Sequence, residues 1–394
     1  MTGTKRYTPE QIKAAIGLQL GQTVSEDDFK TVSRHLGETG AFSDVAYAFQ
    51  YSSEGAKLDL QLADATQFVP AQFDNFIWLS DQELLQKLQA RVPLFNGELP
   101  VAGNLADQVS DALQALVVER NLQGKADYLR YGPQDGTING FVFTVGGPTI
   151  HIRNVEFTGA AAPELPLLQA AAKALQGRDY LRSTIRAYDD KDFLPVYLER
   201  GYLKAAFADA QPKIVQETPQ ETLVDVNVDV TPGLQYKMSE LQLSGYKAFE
   251  AEKLRGFIHQ QLGQPANTVQ LGKDLDEIKK LYGTRGYMAA TIKPTPQFDD
   301  ANSTVRYLLE FHEGDVYKMG DLEIQGLDTR TTARLVDAWK LRGGDVYDSS
   351  YPMQFVKEWI KELSRMGEWN VALHTTLEEK DKLVDVTIRF DPKR

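Results

Sequence analysis

The chain of 394 residues contains no cysteine. This absence excludes disulfide bonds, thiolate metal sites and a cysteine nucleophile. The sequence also contains no run of about 18 or more apolar residues, so we expect no helix that spans a membrane. The first residues, Met1–Tyr7, lack the apolar segment of a signal peptide. We therefore expect either a cytosolic protein or one whose targeting segment has been removed.

An excess of basic residues is missing as well. The formal net charge is -12, with 43 Lys and Arg against 55 Asp and Glu. A general nucleic-acid binder needs a basic face, so this charge argues against nucleic acid as a partner. Hydrophobic residues make up 42% and charged residues 25% of the chain, which are the proportions of a globular protein. The length corresponds to roughly two to four ordinary domains.

Familiar catalytic motifs are absent too. The histidines form no His-Glu-x-x-His pair, and no Gly-Lys-Ser/Thr phosphate loop or dinucleotide fingerprint occurs. The acidic cluster Asp189–Asp192 lacks the glycine spacing of a calcium loop. The sequence therefore predicts no catalytic residue, no metal ligand and no cofactor, and it disfavours an enzyme.

What the sequence does contain is an internal repeat, which is most complete in Glu240–Tyr317. An alternating run is followed by two stretches with apolar residues at steps of three and four, and then by two more short apolar runs. This order predicts a β-α-α-β-β unit. Its predicted elements are strand Glu240–Ser244, helix Leu254–Leu262, helix Leu271–Leu281, strand Met288–Ile292 and strand Val305–Phe311.

Two glycine patterns of this unit recur along the chain. Glycines about 18 residues apart, with an apolar residue midway, recur four times. These pairs are Gly3 and Gly21, Gly159 and Gly177, Gly245 and Gly263, and Gly326 and Gly344. A helix-ending turn before the second predicted strand returns about every 80 to 85 residues. It lies at Gly40, Asn121, Gly201, Gly286 and Gly367. We interpret these positions as helix caps that precede core anchors.

The repeats predict five domains, with the boundaries 1–66, 67–148, 149–235, 236–317 and 318–394. The first begins just after the place of an opening strand, so we expect that strand to be missing. The second is divergent: Phe76–Leu79 is its predicted opening strand, and Ser80 replaces the glycine that ends this strand elsewhere. Ser80 and Glu83 have the spacing of a capping box. In the third, valines alternate with polar residues from Val224 to Val230, which predicts a strand with one buried face.

The predicted fold class is α+β: five tandem β-α-α-β-β domains in an elongated array, each a small mixed three-stranded sheet covered by two helices. The element order, the strand that ends in glycine and the Gly201-Tyr202 and Gly286-Tyr287 turns resemble the polypeptide-transport-associated (POTRA) domain. Five copies in tandem resemble the periplasmic region of a BamA-type outer-membrane protein assembly factor. This resemblance implies a location on the periplasmic side of the bacterial outer membrane and a C-terminal membrane β-barrel in the parent protein.

Open sheet edges are the predicted binding sites, because an unclosed sheet has unpaired backbone groups that can pair with an extended chain. The resemblance implies that the second strand of each domain is such an edge. The predicted edge residues are Val45, Ala46, Tyr47, Ala48 and Phe49 in the first domain, Ala205, Ala206 and Phe207 in the third, and Met288, Ala289, Ala290, Thr291 and Ile292 in the fourth. The corresponding segment of the fifth is Val371–Thr375. We expect the first and third edges to be the most open. The alternative is that their alanines merely pack beneath helices.

The predicted function is therefore a non-enzymatic periplasmic scaffold and receptor that binds unfolded β-barrel precursors and accessory proteins by strand augmentation. The expected partners are unfolded outer-membrane proteins and accessory proteins of the assembly complex, and no nucleic acid. The alternative function is the POTRA docking region of a secretion channel or of a cell-division scaffold. The sequence that flanks the array in the parent protein would separate these alternatives.

Overall fold

The computed structural model describes residues 1–19, 21–53, 55–218, 220–365 and 367–393. The chain divides into two compact units, residues 1–193 with 207–231 and residues 194–206 with 232–394. Over the described ranges, the strands form five small sheets. Four of them combine parallel and antiparallel pairs, and helices lie between their strands, so the α+β class predicted from the sequence is confirmed. The predicted three strands are found in the fourth and fifth sheets, whereas the first sheet has two strands and the second and third have four.

The first sheet is a hairpin packed against two helices. Its elements are α1 (Pro9–Ile16), α2 (Glu26–Glu38), β1 (Phe42–Ser52) and β2 (Gly55–Asp64). Ser25 caps α2 by accepting a hydrogen bond from the Asp28 amide, and the Asp28 side chain accepts one from Ser25 in return. Phe29, Val32 and Leu36 of α2 are buried because they recur at steps of three and four on one face of the helix.

The place of the opening strand in the first sheet is taken by Thr2 alone. Its amide donates to the Leu60 carbonyl at 2.9 Å, and its carbonyl accepts from the Leu62 amide at 3.0 Å. Gly3 follows with φ +99°, and a Cβ there would lie 2.4 Å from the Leu62 carbonyl oxygen. Gly245 meets a strand carbonyl in the same way, at 2.3 Å. The glycine that ends the opening strand is therefore required because another backbone passes too close for a side chain.

The second sheet has four strands in the order β4-β3-β6-β5. Its elements are β3 (Phe68–Phe73), α3 (Asp81–Arg91), β4 (Glu98–Pro100), α4 (Leu105–Glu119), β5 (Lys125–Tyr131) and β6 (Gly140–Gly146). The predicted capping box is present, since the Glu83 amide donates to Ser80 Oγ and the Glu83 side chain accepts from the Ser80 amide.

The predicted opening strand of the second domain was wrong. The strand is Phe68–Phe73, and the segment Phe76–Leu79 is an irregular connection to α3. Phe76, Ile77 and Trp78 are buried there all the same, so their apolar character reflects core packing. The Asn75 side chain replaces strand pairing, because it donates to the Val145 carbonyl at 2.9 Å and accepts from the Val145 amide at 2.8 Å.

The third sheet is centred on a strand of alternating valines. Its elements are β7 (Ile150–Thr158), α5 (Leu165–Ala172), a 3₁₀ turn Lys173–Leu175, α6 (Arg182–Tyr188), a π-helical turn Asp189–Phe193, β8 (Ala206–Phe207), β9 (Gln211–Glu217) and β10 (Thr222–Thr231). Val224, Val226 and Val228 of β10 are fully buried, as their alternation predicted. β10 pairs parallel to β7 and antiparallel to β9.

The second compact unit contains two three-stranded sheets of the same topology. Its helices are α7 (Leu194–Leu198), α8 (Ala251–Arg255), α9 (Thr268–Gly283), α10 (Thr329–Ala338) and α11 (Tyr351–Leu363). Its strands are β11 (Lys237–Ser244), β12 (Thr291–Asp299), β13 (Thr304–His312), β14 (Lys318–Gln325), β15 (Trp369–Glu378) and β16 (Leu383–Pro392). The last strand of each sheet lies in the middle, parallel to the first strand and antiparallel to the second.

The first helix of the fourth sheet is shorter than predicted. α8 ends at Arg255, although the apolar pattern continues to Leu262. The chain leaves the helical path before His259. The Asp274 carboxylate of α9 holds it there by accepting hydrogen bonds from the His259 backbone amide and from His259 Nδ1, both at 2.8 Å. The end of the predicted helix is outside the core, and Leu262 is 61% exposed.

The fourth and fifth sheets meet in a tight backbone contact. The Tyr317 amide donates to the Gly286 carbonyl at 2.8 Å, and the Tyr317 carbonyl accepts from the Tyr347 amide at 3.0 Å. Gly286 has φ +80°, and a Cβ on it would lie 2.6 Å from the Tyr317 carbonyl oxygen. The Gly-Tyr turn therefore positions one sheet on the next as well as ending a helix.

Within the described ranges, no helix is long and apolar enough to cross a membrane.

Candidate docking edges of the small sheets

The candidate sites are the outer edges of the second strands, where backbone groups can point away from the sheet. In the fourth and fifth sheets, β12 and β15 each pair with the central strand on one side only. β1 pairs with β2, and β5 pairs with β6, also on one side only. An edge can accept another strand only where its outward amides and carbonyls have no hydrogen-bond partner already.

The structure places the predicted edge residues unevenly. Val45–Phe49 lie within the edge strand β1. Only Ala206 and Phe207 of the third segment are in a strand, and that strand has two residues. Ala205 lies in the preceding turn, where its amide donates to the Tyr202 carbonyl at 3.2 Å.

In the fourth sheet the predicted edge starts three residues too early. Thr291 and Ile292 belong to β12, whereas Met288, Ala289 and Ala290 lie in the turn before it. The Met288 amide donates to the Gly286 carbonyl at 2.8 Å, which is a turn contact. The Met288 side chain packs against the core of the fifth sheet. Small and apolar residues alternate in Met288–Ala290 as they would in a strand, but the segment forms a turn because Met288 packs on the fifth sheet.

The backbone of β1 points outward at every second residue. Leu60 and Leu62 of β2 bond to Thr2, so their backbone groups face away from β1. Their cross-strand partners are Tyr47 and Val45. Non-hydrogen-bonded pairs of this kind direct both backbones away from each other. The amides and carbonyls of Val45, Tyr47 and Phe49 therefore face the open edge.

This edge of β1 is almost unguarded. The Ser33 hydroxyl of α2 donates to the Val45 carbonyl at 3.3 Å. No partner for the outward groups of Tyr47 and Phe49 is found in the described part of the chain. β1 contains neither proline nor lysine, the residues that commonly protect an edge strand.

Aromatic side chains line the helix-facing side of the same edge. Phe49 packs on Phe29 of α2 with ring centroids 5.3 Å apart, and on Tyr51 at 5.5 Å. Tyr47 stacks beside Phe49 at 6.4 Å. The sheet ends at this strand, so these rings keep exposed surface, and Tyr51 is 56% exposed. A strand added to β1 would place alternate side chains against them.

The edge of β5 is closed by side chains. The Gln114 carboxamide of α4 accepts from the Ala126 amide at 2.8 Å and donates to the Gly124 carbonyl at 3.2 Å. The Tyr128 amide donates to its neighbour Asp127 at 2.8 Å. Burial and a hydrogen bond to Asp107 raise the pKa of the Tyr128 phenol above its ordinary value, so this ring stays neutral.

Prolines lie in edge strands of the third and fourth sheets. β12 contains Pro294 and Pro296, which lie two residues apart and so face the same side of the strand. Because proline has no amide hydrogen, it is tolerated in a sheet where its nitrogen faces outward. β9 carries Pro212 at the corresponding edge. β12 therefore lacks two donors where an added strand would need them, and Pro212 removes one donor from β9. The predicted third edge is the two-residue strand β8, and the expectation that it is among the most open stays a prediction.

The edge of β15 is open like that of β1. Trp369 lies opposite Pro392, which has no amide hydrogen, while the Lys393 amide bonds to the Glu368 carbonyl at 2.8 Å. The outward residues are therefore those in phase with Trp369, including Val371 and Leu373. β15 spans ten residues without proline or lysine.

Sequence reasoning overlooked the features that separate open from closed edges. Pro294 and Pro296 in the sequence could have indicated a closed edge, but they lie beyond Ile292, the predicted end of that strand. The role of Gln114 has no local signal, because it depends on how α4 packs beside β5. No group of three or more His, Asp or Glu that could hold a metal ion is found in the described ranges. The outward backbone groups of β1 and the aromatic rings beside them offer backbone and apolar recognition.

Residues 236–314 match the model of the POTRA family, described as surface antigen variable number repeat. The chain is also similar to solved structures. One is POTRA domains 3–5 of BamA from Haemophilus influenzae, with 22% identity, 62% of this chain and 98% of that chain covered, and a TM-score of 0.49. Another is POTRA domains 1–3 of the periplasmic domain of Omp85 from Anabaena, with 17% identity, 63% and 97% covered, and a TM-score of 0.28. A third is CdiB from Escherichia coli, with 15% identity, 54% and 34% covered, and a TM-score of 0.21.

The matched residues 236–314 correspond to the fourth sheet, with its strand order β11-β13-β12 and its two helices. The first, third and fifth sheets repeat features of this unit, including the glycine that meets a strand carbonyl at Gly3, Gly159 and Gly326. Residues 236–314 therefore match the POTRA domain in sequence, and the glycine that meets a strand carbonyl recurs in the other sheets that carry it.

Proposed function

We propose that this chain is a non-enzymatic periplasmic module of five POTRA domains, with the boundaries predicted from the sequence. It holds extended segments of unfolded outer-membrane β-barrel precursors, and segments of accessory proteins, by adding them as strands to β1 and β15. Its place is the periplasmic side of the outer membrane, next to a membrane β-barrel of the parent protein. The observation that carries the proposal is the contrast between these two open edges and the edges of β5 and β12, which side chains and prolines close.

Backbone recognition suits a receptor for many different chains. The outward groups of β1 include the amide of Val45 and both backbone groups of Tyr47 and Phe49. Each hydrogen bond contributes a net of about 0.5–1.5 kcal/mol, so about five of them give a few kcal/mol before the ordering cost of the ligand. One edge alone therefore binds weakly. Two edges on one chain raise the effective affinity without a demand on ligand sequence.

The aromatic lining adds a modest preference. Cross-strand pairs that involve aromatic side chains contribute roughly 0.2–1 kcal/mol each relative to alanine. An added strand with large apolar residues at alternate positions would cover Tyr47, Phe49 and Tyr51, which are partly or largely exposed in the free chain. Strands of membrane barrels have this alternating pattern. The edge of β1 thus favours the class of chain that the proposal assigns to it.

Proline substitution at an outward-facing residue tests the proposal. Tyr47→Pro removes an outward amide from β1, whereas the matched control Tyr47→Ala removes the ring and keeps the amide. Leu373→Pro and Leu373→Ala form the same pair in β15. The probe is a blocked nine-residue peptide of alternating valine and threonine, titrated into isotope-labelled full chain and followed by amide chemical shifts. We expect shifts at β1 and β15 that the alanine variants retain and each proline variant loses at its own edge. Shifts confined to other surfaces, or unaffected by proline, would overturn the proposal.

A further inference from the structure

The carboxamide of Gln114 occupies two hydrogen-bonding places on the edge of β5. Its Oε1 accepts from the Ala126 amide, and its Nε2 donates to the Gly124 carbonyl. In a parallel ladder, one residue of an added strand makes this pair of bonds, to the carbonyl of one edge residue and the amide two residues on. Ser110 also donates to the Ala126 carbonyl, at 3.4 Å. An incoming chain would have to displace these side chains before it could pair.

The first sheet carries a shorter side chain at the corresponding place. Ser33 of α2 lies 12 residues before Val45, the residue that it contacts, and Gln114 lies 12 residues before Ala126. Both helices pack beside their edge strand. The Ser33 hydroxyl donates to the Val45 carbonyl at 3.3 Å, and no described side chain accepts from the Val45 amide. One side chain thus spans two strand positions, whereas the other touches a single carbonyl.

We propose that this helix position determines which sheet edges accept a strand: Gln114 closes β5 from within the chain, and Ser33 leaves β1 open. The inference rests on the proposed strand addition, and it names the residues that select the docking edge. The glutamine competes with a ligand because it is tethered beside the edge, so its effective concentration is high and it is present in every molecule. A serine cannot compete in this way, since its hydroxyl does not reach from one backbone position to the next.

The strength of the two Gln114 hydrogen bonds is consistent with a side chain that a ligand can displace from the edge of β5. An incoming strand must displace two hydrogen bonds, each of modest net strength because the separated groups can bond to water instead. A loss of about 1.4 kcal/mol corresponds to a tenfold change in affinity. Closing an edge with glutamine should therefore weaken strand addition by about tenfold. The effect is large enough to choose between edges and small enough to leave each domain folded.

The reciprocal exchange tests the inference in the full chain. Ser33→Gln should close β1, and Gln114→Ser should open β5; Ser33→Ala is the control that removes a hydroxyl without closing the edge. Hydrogen exchange reports the change without any ligand. We expect the Ala126 amide to exchange about tenfold faster in Gln114→Ser and the Val45 amide to exchange slower in Ser33→Gln, with Ser33→Ala like the parent chain.

Titration with the same valine–threonine peptide gives the functional result. We expect Ser33→Gln to bind it about tenfold more weakly at β1, and Gln114→Ser to show new shifts at β5. If the parent chain binds at β1 but neither exchange changes the edge that is used, this inference is wrong and the proposed function stands. If the parent chain binds nowhere and Gln114→Ser gains binding at β5, the inference stands and the proposed function is wrong. No binding by any variant, with unchanged exchange at Ala126, overturns both.

Discussion

Asp189 gives the sharpest prediction on stability, because it is a carboxyl group in an unfavourable place. It lies in the π-helical turn of the third sheet and is 9% exposed. Its Oδ1 atom has no hydrogen-bond partner among the described residues. Burial raises its pKa from the ordinary 3.8 to about 7, with further increases from Asp190 and Asp209, while Arg186 acts in the opposite direction.

The sign and size of the effect follow from this shift. A raised pKa means that the folded chain holds the proton more tightly than the unfolded chain. The resulting stability is fully present below about pH 4 and is lost as the pH rises through about 7. A shift of roughly three pKa units, at 1.36 kcal/mol each, corresponds to about 4 kcal/mol. Asp189→Asn stays neutral, so we expect it to stabilise the chain by about 2–4 kcal/mol at pH 8 relative to its effect near pH 4.

Two measurements check this prediction. Urea unfolding at pH 4 and pH 8 gives the difference in free energy, followed through amides of α6 because an array of domains need not unfold in one step. The ¹³C shift of the Asp189 carboxyl gives its titration directly. Asp192→Asn is the control, since Asp192 is a carboxylate of the same turn that is only partly buried. A carboxyl that titrates near 4, or the same pH profile in both variants, would refute the reasoning.

Three further predictions concern the second compact unit. Gly286→Ala should destabilise this unit by about 1–3 kcal/mol in urea unfolding, because the left-handed backbone and the close carbonyl leave no room for a Cβ. The control Gly272→Ala lies in the open middle of α9 and should stabilise the unit by up to about 1 kcal/mol. Equal effects of the two substitutions would contradict this prediction. Pro294→Thr combined with Pro296→Thr should create amide shifts at β12 on titration with the valine–threonine peptide, and silence there would show that proline is not what closes this edge. Asp274→Ala should cost about 1–3 kcal/mol because its hydrogen bonds are buried, with Asp274→Asn costing less; a neutral alanine variant would argue against this role.

Much of the fold could be predicted from local pattern. The alternation of valine in Val224–Val230, the capping box at Ser80 and the apolar stripe of α9 each involve neighbours that stay together in any fold of this sequence. The glycines that recur at fixed spacing were also informative, since Gly245 and Gly286 adopt a backbone conformation that other residues avoid. Such signals predicted the order of elements and the number of repeats.

Element ends were predicted less well where a distant group decided them. The helix after Ala251 stops early because Asp274, far along the chain, holds the His259 amide. The segment Phe76–Leu79 is apolar like a strand, yet it packs as a loop because Asn75 satisfies the neighbouring backbone. An apolar residue reports burial, and burial is compatible with a strand, a helix or a loop.

The sequence by itself determined that this chain is a series of similar α+β units without catalytic motifs, because repeats, caps and alternation are local properties. Tertiary structure decided which sheet edges are open. Whether an edge is open depends on the direction of its backbone groups and on side chains from another element that bond to them. The Gln114 side chain bonds to the Ala126 amide, whereas the Ser33 side chain does not bond to the Val45 amide. Those contacts exist only after a helix and a strand have packed side by side, so the docking edges were fixed by the fold and not by the residues within the strands.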